Sequence, residues 1–372
     1  MTVVEWNTVS FVNRDTPPTI TTEEIDLDTC FEDNQIVIEV YSAALNPVDF
    51  MLHKAAVPML SSAKPKAYGR DFSGVIIRKG NKVSNEWMVG DKVNGMINFL
   101  YAPHGSLSNY LIINPERNPS MIHITPGTKE LMTLEHNEFD ISSSWPAVFG
   151  TAYAAIFYPG RDWSKINNVL VLGASTQVGN CFVQIVKNYL NVKNVVGVCN
   201  ENSIEYNKEF GYDYLVSYNN GKTVENVKEI METKLNGEKF DVIFDSCGSS
   251  DFLPVMNDFL KPKSTNSYYS TVVGDSVFDY KNIETLKTLK SRLLVEPYRR
   301  FKPWRSYNYY FVAYYPDHNI EVLGNEMIEK KQFNPQIDSS YKFQDFQKAI
   351  DRIMSGRCKG KVIVQIKKPD DI

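Results

Sequence analysis

The period of the apolar positions changes near residue 146. Before it, β-branched runs such as Gln35–Tyr41 and Gly74–Arg78 lie between turn residues, and Pro58, Pro65, Gly80, Gly90, Gly105 and Pro115 punctuate the segment. Short apolar runs broken up in this way predict a compact β module. After it, strand-like runs at 169–172, 195–198, 214–216, 240–244 and 268–273 alternate with helical spacing. One helix carries Val224, Val227, Ile230 and Met231; another carries Val178, Cys181, Phe182, Ile185, Val186, Tyr189 and Leu190. Such alternation predicts βαβ units and a parallel sheet. Near the end, Phe343, Phe346, Ala349, Ile350, Ile353 and Met354 share one helical face, and the strand Lys361–Ile366 follows. That pair most simply rejoins the β module.

Length supports the division, since 372 residues exceed one typical core. The expected class is α/β: a β-rich domain at 1–145, completed by about 318–372, and a doubly wound parallel-sheet domain at 146–317. A net charge of -4 argues against bulk nucleic-acid binding. No apolar run approaches the roughly 20 residues of a membrane helix. The first residues, Met1 to Asn7, lack the basic cap and apolar core of a secretory signal. Cys30, Cys181, Cys199, Cys247 and Cys358 are scattered, with no pair at metal-ligand spacing. Together these features point to a reduced intracellular chain.

The chemistry begins at the turn after Val169–Leu172. Gly173, Ala174, Ser175, Thr176, Gln177, Val178 and Gly179 lead from strand into helix. Such a junction gathers free backbone N–H groups and the positive end of a helix, which suits a pyrophosphate. The dinucleotide fingerprint asks for small residues at three places, here Ala174, Thr176 and Gly179. Thr176 departs from it, because its side chain stands where backbone should approach phosphate. Its hydroxyl and that of Ser175 are expected to donate to phosphate oxygens instead. The alternative is a strand–turn–helix with no ligand. An NAD-binding chain places an acid about 20 residues further on. Here Val195–Val198 runs into Cys199, Asn200, Glu201, Asn202 and Ser203, with no acid at the tip itself. Asn202 and Ser203 tolerate a 2′-phosphate, which favours NADP(H) over NAD(H); the alternative is a loop with no ligand role.

Six motifs, in order, then carry a resemblance. Ala44–Asp49, Tyr68–Val75 with Val89–Val93, Trp145–Tyr153, Phe210–Asp213, Phe240–Gly248 and Lys359–Ile363 resemble the zinc-free quinone-oxidoreductase branch of the medium-chain dehydrogenase/reductase superfamily, over nearly the whole chain. Asp71–Ile77, Val93–Met96, Asn202–Glu205 and Gly211–Val216 are more similar still to the fungal Yim protein family, which is linked to lipid droplets and mitochondria. The resemblance implies a GroES-like β module, a Rossmann-type domain, and a cleft that holds NADP(H) with a small apolar quinone or carbonyl compound. It also implies no zinc. Zinc-dependent relatives place Cys at Asn46 and His-Glu at Arg70-Asp71, and four cysteines in a lobe that falls here near 90–115, an interval without any. His53, His104, His123, His136 and His318 offer no substitute ligand set.

By the same resemblance, Asn46 approaches the nicotinamide or its ribose, Asp49 pins that loop, and Thr151 caps a helix near the nicotinamide amide. Ser203 falls where many NADPH users place Lys. Tyr218 matches a tyrosine near the adenosine end, and Gly248 lets the cofactor cross the end of the fourth strand. Each has a local reading as well: Asn46–Pro47 as a turn, Asp49 as a cap, Thr151 as a residue of a helix start. Tyr68, Arg70 and Tyr101 are the proton-donor candidates, from their place in the signature loops. Arg70 would steady an enolate oxygen as charge develops, or else contact Asp71 structurally. Water also protonates an enolate, so an acid is not required.

Residues 287–305 stand apart, with Lys287, Lys290, Arg292, Arg299, Arg300, Lys302 and Arg305 against Glu296, and Tyr298, Phe301 and Trp304 interleaved. Cations with aromatics suit an anionic lipid surface; the alternative is a solvated face or a homodimer interface. Taken together, the expectation is a zinc-independent, NADP(H)-dependent reductase of quinone or enone-type carbonyl compounds. Its rival is a non-catalytic protein of the same fold, acting on lipid droplets or in a stress response.

Overall fold

The computed structural model describes residues 1–58, 64–97, 104–249, 251–274 and 306–368. The described residues form two compact units: those of 1–147 and 315–368 belong to one, those of 148–274 and 306–314 to the other.

The first unit opens with β1 (Val3–Phe11), β2 (Thr19–Asp26), β3 (Ile36–Ala44), α1 (Pro47–Ala55), β4 (Lys66–Ala67), β5 (Asp71–Lys79), β6 (Lys92–Met96), β7 (Tyr110–Ile113), β8 (Ile122–His123) and α2 (Glu138–Ser143). β3 is buried along its length except at Glu39, which explains its near-continuous apolar sequence. The hairpin β1–β2 went unread in the sequence. No residue of β2 is buried, so its Thr and Glu positions show no inward stripe.

The second unit carries α3 (Pro146–Phe157), β9 (Asn168–Leu172), α4 (Gln177–Gln184), β10 (Asn194–Cys199), β11 (Tyr214–Ser217), α5 (Thr223–Lys234), β12 (Val242–Asp245), β13 (Tyr268–Thr271) and β14 (Asn308–Phe311). α3 begins two residues before the unit boundary. The sheet order is β11-β10-β9-β12-β13-β14, and every neighbouring pair is parallel. The chain winds outward from β9 to β10 and β11, then returns to the other side of β9 as β12. β9 and β12 thus flank a topological switch point, where ligands bind such sheets. The helix expected over 178–190 forms as α4 and then widens into a π turn at Ile185–Tyr189. β14 was missed, because Asn-Tyr-Tyr-Phe does not read as a β-branched run.

The chain closes with α6 (His318–Glu329), β15 (Ile337–Lys342), α7 (Phe346–Met354) and β16 (Lys361–Gln365). β16 pairs antiparallel with β3, so the end of the chain does rejoin the first unit. α7 buries Phe346, Ala349, Ile350 and Ile353 in a cluster with Val9, Phe11, Leu45, Phe50 and Tyr68. Among the described residues no helix is long and apolar enough to cross a membrane.

Candidate dinucleotide turn and a buried charge network

The turn Gly173–Gly179 lies at the carboxyl end of β9, beside the switch point. Gly173 has φ +88, and a Cβ there would fall 2.6 Å from Ser246 Oγ. A Cβ on Gly179 would lie 2.4 Å from the Gly173 carbonyl oxygen. Only glycine lets α4 start this close to its strand. Ala174 is fully buried and its N–H bonds Val198 O at 2.9 Å. Ser175, Thr176, Gln177 and Val178 are half-buried. The N–H groups of Ser175 and Val178 meet no acceptor among the described residues. Free donors at a helix start are what a phosphate needs.

Thr176 is placed differently from the expectation. It is the N-cap of α4: its Oγ1 accepts from Gly179 N at 2.9 Å, contacts the Gly173 carbonyl at 2.9 Å, and lies 2.6 Å from Ser246 Oγ. Its hydroxyl is therefore committed inside the turn, and it buttresses the glycines rather than facing outward. The turn is braced again by Tyr212, whose OH reaches the carbonyls of Ala174 at 3.3 Å and Gly179 at 3.2 Å. The ring fits because Gly197 faces it; a Cβ there would sit 2.7 Å away. Neither Ser246 nor Tyr212 stood out in the sequence, since hydroxyl residues in turns usually serve only local bonds.

At the tip of β10, Asn200 Oδ1 accepts from Asn202 N at 3.0 Å, and Asn200 Nδ2 reaches Tyr218 OH at 3.3 Å. Tyr218 is half exposed, whereas Ser203 is buried. The tip offers two amides and a phenol, with the exposed Glu201 between the amides in sequence. Thr151 is an interior residue of α3, not its cap. Gly248 has φ +81, and its N–H donates to Asp245 Oδ1 at 2.7 Å. Asp245 also accepts from Cys247 N and from Tyr269 OH at 2.7 Å, so one buried carboxylate shapes the exit of β12. Burial still lifts its pKa above the ordinary value, those bonds opposing.

In the other unit, Asn46, Asp49, Arg70 and Asp71 share one buried network with Lys361, which the sequence places in the Lys359–Ile363 motif and the last strand but does not mark as a site residue. Lys361 Nζ donates to Asn46 Oδ1 at 2.6 Å and to Asp71 Oδ2 at 2.8 Å. Asn46 Nδ2 donates to Asp71 Oδ2 at 2.8 Å, and Ala147 N donates to Asp71 Oδ1 at 3.0 Å. Asp49 Oδ2 accepts from Asn46 N at 2.8 Å, the local cap of α1, and its other oxygen lies 4.0 Å from Arg70 Nε. Burial raises the Asp49 carboxyl to about 6, with the Arg70 charge opposing. Arg70 faces Asp49 and the Ile97 carbonyl, while Asp71 is occupied by Lys361 and Asn46. Tyr68 is a core residue, packed edge-on to Phe11 and Phe50, and burial pushes its hydroxyl pKa far up. Tyr101 and the basic stretch 287–305 lie outside the described residues. The signal for the network was a Lys and an Asp that each open a strand at a buried position, where an unpaired charge is not tolerated.

Two family models match the chain: an alcohol dehydrogenase GroES-like domain over residues 32–118 and a zinc-binding dehydrogenase over 210–364. The chain belongs to the medium-chain dehydrogenase/reductase family. Within that family it is 45% identical to Protein YIM1 of Saccharomyces cerevisiae over 365 residues, which is 98% of this chain and 99% of that protein. The quinone oxidoreductase of Coxiella burnetii shares its fold, with TM-score 0.69 and 17% identity over 98% of this chain and 100% of that one. So does the CurK enoyl reductase, with TM-score 0.68 and 18% identity over 98% and 99%.

Among the described residues, those at the positions where zinc-dependent relatives hold the metal do not suit zinc. Among the described residues no three His, Cys, Asp or Glu side chains come together to hold a metal ion. At Asn46, Arg70 and Asp71 a divalent ion would have to displace the Lys361 ammonium and face Arg70. A dinucleotide does suit the turn, because Gly173 and Gly179 let α4 start close to β9 and the Ser175 and Val178 N–H groups are left unclaimed at that helix start.

Proposed function

We propose that this chain is a zinc-independent, NADP(H)-dependent reductase of quinones or enone-type carbonyl compounds. The observation that carries the reading is the Gly173–Gly179 turn: glycine geometry, unclaimed N–H groups and a helix start, all at the switch point of a parallel sheet. When bound, the dinucleotide supplies hydride chemistry. The chain's own residues would hold it. Ser175 and Val178 offer backbone donors to the diphosphate. Asn200, Asn202 and Tyr218 offer neutral groups to a 2′-phosphate, and the nearest acid, Glu201, lies two residues past the end of β10 rather than at its tip, which favours NADP(H) over NAD(H). Gly248 keeps the end of β12 free of a side chain. The quinone oxidoreductase and enoyl reductase of the same fold support the substrate class. Titration of the protein's fluorescence with NADPH and NADH tests the reading, followed by turnover of a quinone and enone panel. Saturable NADPH binding tighter than NADH is expected; no saturation with either would defeat the proposal.

One observation favours a second reading, a fold kept for binding without turnover. Tyr68 and Arg70, two of the three proton-donor candidates, are buried in internal contacts. Tight NADPH binding with no oxidation across the panel is the result that would select it. Contact with an anionic lipid surface through 287–305 is a separate proposal, compatible with either reading. Neutralising Arg299, Arg300 and Arg305 is expected to reduce co-flotation with anionic vesicles, and unchanged co-flotation would refute it.

A further inference from the structure

We infer that Asn207 fixes the Ser175 hydroxyl as a hydrogen-bond donor, and that this hydroxyl, not that of Thr176, is the side chain that grips a phosphate oxygen. The inference rests on the dinucleotide reading above. Asn207 is fully buried, in the one-turn helix Ile204–Asn207 that follows β10. Its Nδ2 lies 2.8 Å from the Ser203 carbonyl oxygen and 2.7 Å from Ser175 Oγ. A carbonyl oxygen only accepts, so the contact with Ser203 settles which end of the amide is the nitrogen. That nitrogen has two hydrogens and accepts nothing. One hydrogen goes to Ser203 and the other to Ser175.

Ser175 Oγ is thereby the acceptor in its bond with Asn207, and its own proton must go elsewhere. No described residue takes it. Thr176 is the converse: its proton is spent on Gly173 O or Ser246 Oγ, and it accepts from Gly179 N. Of the two hydroxyls in the turn, only Ser175 retains a proton to give. It shares the turn with the unclaimed N–H groups of Ser175 and Val178. Phosphate oxygens, which only accept, suit all three donors. Asn207 is thus a positioning residue: it acts through the polarity of one hydrogen bond and need not touch the ligand.

The polarity can be reversed at nearly constant shape. In Asn207→Asp, an acceptor faces Ser175 and takes its proton. Full-length wild type, Ser175→Ala, Asn207→Asp, Asn207→Ala and the Ser175→Ala/Asn207→Ala double variant are titrated calorimetrically with NADPH and with ADP-ribose, with thermal melts alongside. Ser175→Ala is expected to melt like wild type and to bind both ligands about ten- to a hundredfold more weakly, as loss of a bond to a charged group predicts. Asn207→Asp is expected to lose at least as much, and the double variant no more than Ser175→Ala alone. If wild type binds neither ligand, the dinucleotide reading itself falls. If wild type binds and Ser175→Ala binds within threefold of it, or if the Ser175 and Asn207 losses add, the hydroxyl assignment falls while the reading stands.

Discussion

Replacing Lys361 with Met tests whether the buried network is a true charge pair. Met keeps the length and apolar stem of the side chain and removes the ammonium. In the wild type that ammonium lies 2.8 Å from Asp71 Oδ2, with the two side chains 3% and 0% exposed. Two effects oppose each other. Loss of the ammonium removes its own desolvation cost, but it leaves the Asp71 carboxylate buried without its paired cation. Breaking one side of such a pair typically costs about 3–5 kcal/mol. Asp71 keeps the Asn46 amide and the Ala147 N–H, which hold the loss to the low end, about 3 kcal/mol. Asp71→Asn in the same background removes the stranded charge and is expected to recover about half of that loss, so the two substitutions couple by about 2 kcal/mol. Urea unfolding at pH 7, followed by circular dichroism, measures all four corners of the cycle. A Lys361→Met loss below about 1 kcal/mol, or strict additivity with Asp71→Asn, would refute the argument.

The remaining predictions address the same two sites. Asp49 has a folded pKa of about 6 against an ordinary 3.8. The folded state therefore keeps a proton that the unfolded chain releases, so the stability this group contributes is full below about pH 4 and is lost as pH rises through about 6. Relative to Asp49→Asn, which does not titrate, wild type is expected to lose about 2 kcal/mol between pH 4 and 7; a flat difference in pH-dependent urea melts would count against it. Thr176→Val removes the cap of α4 and the contact with Ser246, and is expected to cost about 1–2 kcal/mol, with Thr176→Ser close to wild type in the same melt. Gly197→Ala drives a methyl into the Tyr212 ring, costing about 1–3 kcal/mol and weakening NADPH binding. Its cost should largely vanish in a Tyr212→Ala background, and persistence there would show that the ring is not the obstacle.

The parallel sheet was legible because burial on both faces leaves little choice of residue: β9, β10 and β12 read as apolar runs and are apolar runs. Elements with one wet face were harder. β2 is β-branched in Thr-Ile-Thr-Thr but buries nothing, so no apolar stripe marks it, and β14 relies on tyrosines rather than on a β-branched run. Site residues divide in the same way. Gly173 and Gly179 were legible because steric demands are local and only glycine meets them. Lys361, Asn207 and Ser246 were not, because each works through a partner far away in sequence. The Lys361–Asp71 bond spans 290 residues and Ser246–Thr176 spans 70. Spacing along one chain cannot pair such residues without the fold.

Thr176 shows why size alone misjudges a phosphate turn. The objection to a β-branched residue there assumes that its side chain points toward the ligand. In the structure the hydroxyl turns back and closes on the Gly173 carbonyl, the Gly179 N–H and Ser246, so the added bulk lies within the turn's own bracing. What decides whether the turn can take an anion is then the inventory of donors left over after internal bonding. Ala174 N is spent on β10 and Gly179 N on Thr176, while Ser175 and Val178 keep theirs. A motif that scores poorly by glycine count can thus still keep outward donors, provided that other side chains, here those of Tyr212, Ser246 and Asn207, brace the turn in the required geometry.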